Sequence, residues 1–198
     1  MAYGSPEFDW DLLTRPDVVS LVSGQLGFSW LDLHQRLEGL TDDEYLWKPA
    51  PWALSVVPRG KTHRRTAGAG EWVAEWPDGP DDPGPRTVAW LVAHLVEVFG
   101  ERWEWTFGEH RRRRDDLVLA HPTAEAGVAA LGEAVGRWRE GVEALTPDEM
   151  WTVGRSQATE IDQQAPFAHL VLHLNRELVH HGAEITVLRD LYRASSAA

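Results

Sequence analysis

The chain contains no cysteine and only two methionines in 198 residues. Without cysteine there is no disulfide framework, no thiolate zinc site and no thiol nucleophile of the protein's own. Any thiol chemistry must use a thiol supplied from outside. Basic residues are also scarce, 19 Lys and Arg against 31 Asp and Glu, and the formal charge of −12 repels phosphate backbones. Nucleic acid is therefore not an expected partner. The one basic cluster, Arg111 to Arg114, stands beside Asp115 and Asp116 and reads as a solvated loop. No apolar run approaches the roughly 18 residues of a membrane-crossing helix, and Met1 to Asp11 lacks a basic stretch followed by an apolar core. The expected location is the cytoplasm, with no membrane partner. Phosphate-binding glycine loops, a Gly-x-Ser-x-Gly elbow and a His-Glu-x-x-His motif are missing too. A di-iron bundle needs two Glu-x-x-His pairs, and Glu177 with His180 is the only one.

What is present is amphipathic helix. The length suits one domain, residues 1–198, able to bury its own core. A first helix is expected from Pro16 to Leu37, with Val19, Val22, Leu26, Trp30, Leu33 and Leu37 at spacings of three and four. Thr41 followed by Glu44 marks a short extra helix that Lys48-Pro49 ends. The second long helix runs from Arg86 to Phe107. The third starts at Thr123 with Val128, Leu131, Val135, Trp138, Val142 and Leu145 as its stripe. Thr146-Pro147-Asp148-Glu149 is another short helical start, and Ala165-Pro166 opens a fourth long helix, Phe167 to Tyr192. No strand periodicity intervenes, so the fold class is all-α, a four-helix bundle. Between the first two long helices lies a connection from Pro49 to Pro85, rich in Pro, Gly and Trp. Its Trp52, Trp72 and Trp76, with Trp47 just before it, predict that it packs over one end of the bundle and walls a pocket there. The eleven tryptophans are expected mainly in the core.

Two helices carry anomalies. On the last, Phe167, Leu170, Leu174, Leu178, Ile185 and Leu188 share one face, yet His181 lies within that face and Glu177 at its edge. A buried carboxylate without a partner is costly enough to neutralise itself or bind a cation. On the second long helix, His94 flanks the stripe of Val88, Leu91, Leu95 and Val98. Three metal-competent side chains, His94, Glu177 and His181, are thus directed to one core. Two readings without that triad stay open: a Glu177–His181 hydrogen bond one turn apart, and an i, i+4, i+8 ladder of His173, Glu177 and His181 that binds metal alone. His173 and His180 fall on the flank of the stripe, and His34, His63, His110, His121 and His169 are expected at the surface.

The run from His173 to Glu184, continuing to Leu188-Arg189-Asp190-Leu191-Tyr192, resembles the last helix of the DinB (YfiT-like) superfamily, and Thr87 to Leu95 resembles its second helix. Trp47-Lys48-Pro49 and the Trp-rich connection extend the resemblance over nearly the whole chain. It implies that His94, Glu177 and His181 are the metal ligands, a two-histidine, one-carboxylate set similar to that of mycothiol-dependent maleylpyruvate isomerases. Such a set leaves an open position, the pattern of catalytic zinc, and suits Zn first and Ni, Fe or Mn after it. The implied function is a divalent-metal-dependent transferase that activates a low-molecular-weight thiol, mycothiol or bacillithiol, for attack on an electrophile, with Glu177 as both ligand and catalytic group. Its expected partners are that thiol and a small electrophile, and a homodimer is left open. The alternative is a non-catalytic bundle that binds a metal or a small ligand.

Overall fold

The computed structural model describes residues 8–79 and 84–196. Pro80 to Pro83, inside the expected connection, lie outside the described residues. The helices begin where short polar side chains satisfy free backbone N–H groups. Asp17 accepts from the Ser20 N–H to open α1 (Val18–Leu37), and Thr41 accepts from Glu44 to open α2 (Asp42–Leu46). Thr87, Thr123 and Thr159 do the same for α3 (Val88–Glu104), α4 (Ala124–Glu143) and α5 (Glu160–Gln164). The last helix, α6 (Phe167–Ser196), continues past Tyr192 to 30 residues. Three-residue to five-residue 3-10 turns at Trp10–Thr14, Arg114–Asp116 and Glu149–Trp151 complete the helical structure.

The four long helices pack in a ring, α3 against α4 and α6, and α1 against the same two. Their apolar stripes meet in one core in which Leu26, Leu91, Leu95, Leu131, Trp138 and Leu174 are buried. Close approach of α2 to α4 needs Gly127, because a Cβ there would fall 2.3 Å from the Tyr45 hydroxyl. A buried ion pair fastens α6 to α2. Arg189 donates from Nε to Glu44 Oε1 (2.7 Å) and from Nη2 to Oε2 (3.1 Å), and also donates to the Arg36 and Glu38 carbonyls at the end of α1.

An all-α chain was expected, but the connection contains a sheet. Strands β1 (Val56–Pro58), β2 (Thr66–Ala67) and β3 (Trp72–Glu75) pair antiparallel in the order β1-β3-β2. Strands of two to four residues cannot display a period-two pattern in sequence, which is why none was visible. The sheet lies against α3. Its edge is tied to the helix start by Leu54 N–H to the Pro85 carbonyl (2.8 Å) and Thr87 N–H to the Leu54 carbonyl (2.9 Å), and the Trp90 indole N–H donates to the Glu75 carbonyl.

Other expectations need correcting. Trp52 is 62% exposed, so it does not wall anything; Trp72 and Trp76 pack half-buried against the core. Among the described residues Trp30, Trp90 and Trp138 are the buried tryptophans, Trp10, Trp52 and Trp151 are exposed, and the rest are partly buried. His34 is buried rather than exposed, its ring 5.6 Å from Trp30. The arginine run is docked as well as solvated: Arg112 pairs with buried Glu104 (3.1 Å), Arg113 lies 3.4 Å over Trp105, and Arg114 lies 4.6 Å over Trp76. No helix among the described residues is long and apolar enough to cross a membrane.

Candidate metal centre

The α3–α6 contact brings His94, two turns into α3, opposite Glu177 and His181, one turn apart on α6. Their ligand atoms all lie within 4.8 Å of one another. Glu177 Oε2 stands 3.6 Å from His94 Nε2 and 3.3 Å from His181 Nε2. Charge-assisted hydrogen bonds would be about 2.7 to 2.9 Å. By contrast, two ligands of one tetrahedral ion, each about 2.1 Å from it, stand about 3.4 Å apart. The separations therefore suit a shared cation better than a simple Glu–His pair. The three side chains are 19%, 13% and 10% exposed, so the cluster opens to solvent at one side.

Each imidazole turns its other nitrogen to a carboxylate on its own helix. His181 Nδ1 meets Glu184 Oε2 at 3.2 Å, and His94 Nδ1 faces Glu97 Oε2 at 3.7 Å. At hydrogen-bond distance the Glu184 carboxylate fixes the His181 ring and favours a free Nε2 lone pair there, whereas 3.7 Å is too long for a hydrogen bond and leaves His94 Nδ1 without a hydrogen-bond partner among the described residues. The pattern His-x-x-Glu occurs at both sites in the sequence and is the signal that could have found Glu97 and Glu184. Glu177 Oε1 is occupied separately, by the Arg176 guanidinium at 2.6 Å, with His173 Nδ1 3.7 Å away. The ladder of His173, Glu177 and His181 is thus split: His173 faces the oxygen that the two other histidines do not. His180, exposed, joins His181 and Glu184 in a second group that shares His181.

The electrostatics follow from this layout. His181, His94 and Arg176 hold the Glu177 carboxyl far below the usual carboxylate range. Burial keeps His94 below its ordinary value, hence neutral and ready to donate a lone pair. Burial also pulls on His181, but Glu177 and Glu184 on either side outweigh it and raise its pKa. Glu97 is pushed up to about 7 by burial, against the pull of Arg102.

Aromatic rings form one wall. Trp90 stacks on His94 at 5.2 Å and 14°, Trp76 stands 6.0 Å from the same imidazole, and Arg86 caps Trp90 at 5.0 Å while reaching Glu184 at 3.7 Å. The sheet delivers Trp76 and α3 delivers Trp90, so the connection does reach the ligand cluster, through Trp76. A family model described as the DinB superfamily matches residues 25–185, a span that holds all three ligand-type residues and the sheet.

The chain belongs to the DinB superfamily.

No curated protein and no solved structure matches it. Within this DinB-superfamily chain, the His/Glu cluster between α3 and α6 is a group that could hold a metal ion, with donors of the nitrogen and oxygen type.

Proposed function

We propose that the chain is a single DinB-type four-helix-bundle domain whose His94, Glu177 and His181 hold one divalent ion, zinc by preference. On this reading it is an enzyme that activates a low-molecular-weight thiol such as mycothiol or bacillithiol for transfer to a small electrophile. The observation that carries the proposal is the wedge of Glu177 Oε2 between two imidazole nitrogens at 3.3 and 3.6 Å. A bound divalent ion would supply Lewis acidity, lowering the pKa of a thiol or water in its open position. The protein's own groups do the rest. Glu184 orients the His181 ring, and Arg176 occupies Glu177 Oε1 so that Oε2 alone turns inward. Trp90 and Trp76 exclude water from the His94 side. With three ligand-type groups converging, a fourth position is left for substrate.

Metal analysis beside rate assays tests this. Metal-loaded protein should accelerate the reaction of mycothiol, bacillithiol or glutathione with model electrophiles, and Glu177→Gln should lower both the rate and the metal content. Glu177→His should be milder, because three ligands remain. If His94→Ala and His181→Ala retain full metal occupancy, the site is wrong. If metal binds but no thiol reacts faster with wild type than with Glu177→Gln, the non-catalytic binding role takes its place.

A further inference from the structure

A cavity of about 270 Å³ lies between α3 and α4, on the side of α3 turned away from His94. At about 100° per residue, Val96, Gly100 and Trp103 all stand at least about 120° round the helix from that histidine. Ala130 and Ala134 form the opposite wall on α4, and the connection between the two helices closes the space with Leu117 and Val118. Val96 is buried at its base, while Arg112, Asp116, Val118, Glu133 and Arg137 are exposed at its border.

The void exists because Gly100, Ala130 and Ala134 are small. Gly100 lies inside α3, where glycine is less favourable than alanine. Packing does not demand it there, because a Cβ would meet Leu117 Cδ1 at 3.6 Å, an ordinary contact. Protein interiors are otherwise close-packed, and this space equals about nine waters' share of liquid volume. It has room for a molecule of about ten to thirteen non-hydrogen atoms, smaller than a typical drug-sized ligand.

The charges at the border differ in how far they are committed. Arg112 gives Nη2 to Glu104 at 3.1 Å, and Asp116 accepts the Arg113 N–H at 2.9 Å. Arg137 makes no ion pair and no hydrogen bond among the described residues; its guanidinium lies over Trp103, 3.6 Å from the ring centroid. That stack fixes the guanidinium plane and leaves its N–H edges free for the two oxygens of a carboxylate. Glu133, one turn before Arg137, opposes an anion but forms no ion pair with it.

We propose that this α3–α4 cavity binds a small aromatic monocarboxylate, its ring against Val96, Gly100, Ala130 and Ala134 and its carboxylate forked onto Arg137. The apolar base selects the ring, and the held guanidinium selects a planar anion. A ligand of about thirteen atoms should bind with a dissociation constant of about 0.1 to 1 mM. Binding there is independent of any metal at His94.

Titration of the ¹⁵N-labelled full chain with 1-naphthoate, followed by NMR, tests this. Wild type should show saturable shifts at the Gly100 amide and the Trp103 indole N–H. The neutral isostere 1-naphthamide should bind at least tenfold more weakly, as should naphthoate to Arg137→Gln, a change at an exposed position. Gly100→Leu, which fills the cavity, should abolish binding while the helical circular dichroism is kept. Glu133→Gln should tighten binding, and His94→Ala should leave it unchanged. Four results would each overturn the proposal: no saturable shift in wild type up to about 10 mM, naphthamide as tight as naphthoate, undiminished binding by Arg137→Gln, or binding lost in His94→Ala.

Discussion

Replacing Arg189 by Met isolates what fastens the helix that carries Glu177 and His181. Arg189 is 2% exposed and Glu44 4%, and the pair is bidentate at 2.7 and 3.1 Å. Methionine fills much the same volume but leaves the Glu44 carboxylate buried and strips a donor from the Arg36 and Glu38 carbonyls. Breaking a buried ion pair from one side costs about 3 to 5 kcal/mol. Arg193 stands 3.7 Å from the same Glu44 oxygen and is largely exposed, so it can swing in and recover part of the loss. The expected cost is therefore near the lower bound, about 3 kcal/mol. With an m-value of about 2 kcal/mol/M, the urea midpoint should fall by about 1.5 M. The double variant Glu44→Leu with Arg189→Met should regain most of that, since removing both charges leaves none unpaired. A midpoint shift below about 0.3 M for Arg189→Met would refute the reasoning, and so would a double variant no more stable than the single one.

Three further outcomes are expected. Glu184→Gln should weaken zinc binding about 10-fold to 100-fold, measured by competition with a chromophoric chelator, while the fold stays intact. Zinc should raise the melting temperature more at pH 8 than at pH 6. His181, whose pKa is raised, adds to metal-free stability below its unfolded value of about 6.5 and loses that contribution as pH rises through its folded value, whereas zinc needs the ring unprotonated. Equal or smaller zinc shifts at pH 8 would contradict this. Gly127→Ala should destabilise by about 1 to 3 kcal/mol in chemical unfolding despite the roughly 1 kcal/mol of helix propensity that alanine gains, because its Cβ meets the Tyr45 hydroxyl at 2.3 Å.

The long helices were legible because their signals are local and repeated. The stripe from Val128 to Val142 and the Thr123 cap place α4 from sequence, and the structure starts it at Ala124. His94, Glu177 and His181 were legible as donors out of place on apolar faces, and they do converge. The sheet was not, since pairing Val56 with Ala74 is a fact about residues far apart in the chain. Trp52 misled because composition gives no direction to an indole, and the turn that holds it points it outward. Glu97 and Glu184 were overlooked because surface helices abound in glutamate, and only the position of a histidine three residues earlier sets these two apart. The docking of Arg112, Arg113 and Arg114 depended on Glu104, Trp105 and Trp76, which proximity in sequence to Asp115 obscured.

The threonine that opens α3 also sets a count. Thr87 fixes the helix start by accepting from the Trp90 N–H at 3.1 Å, and its hydroxyl is held to Ser55 at 3.2 Å. His94 follows seven residues later, which returns it to nearly the same bearing on the helix. One residue inserted or lost between Val88 and Ala93 would turn the imidazole by about 100° and lift it about 1.5 Å, out of reach of Glu177, while hardly disturbing the apolar content of the segment. Length variation at the turn around Gly60, whose Cα faces open space, carries no such penalty. Tolerance to insertion along this chain is therefore set by the distance from cap to His94, so that a segment unremarkable in composition is as exacting as His94 and Glu177 themselves.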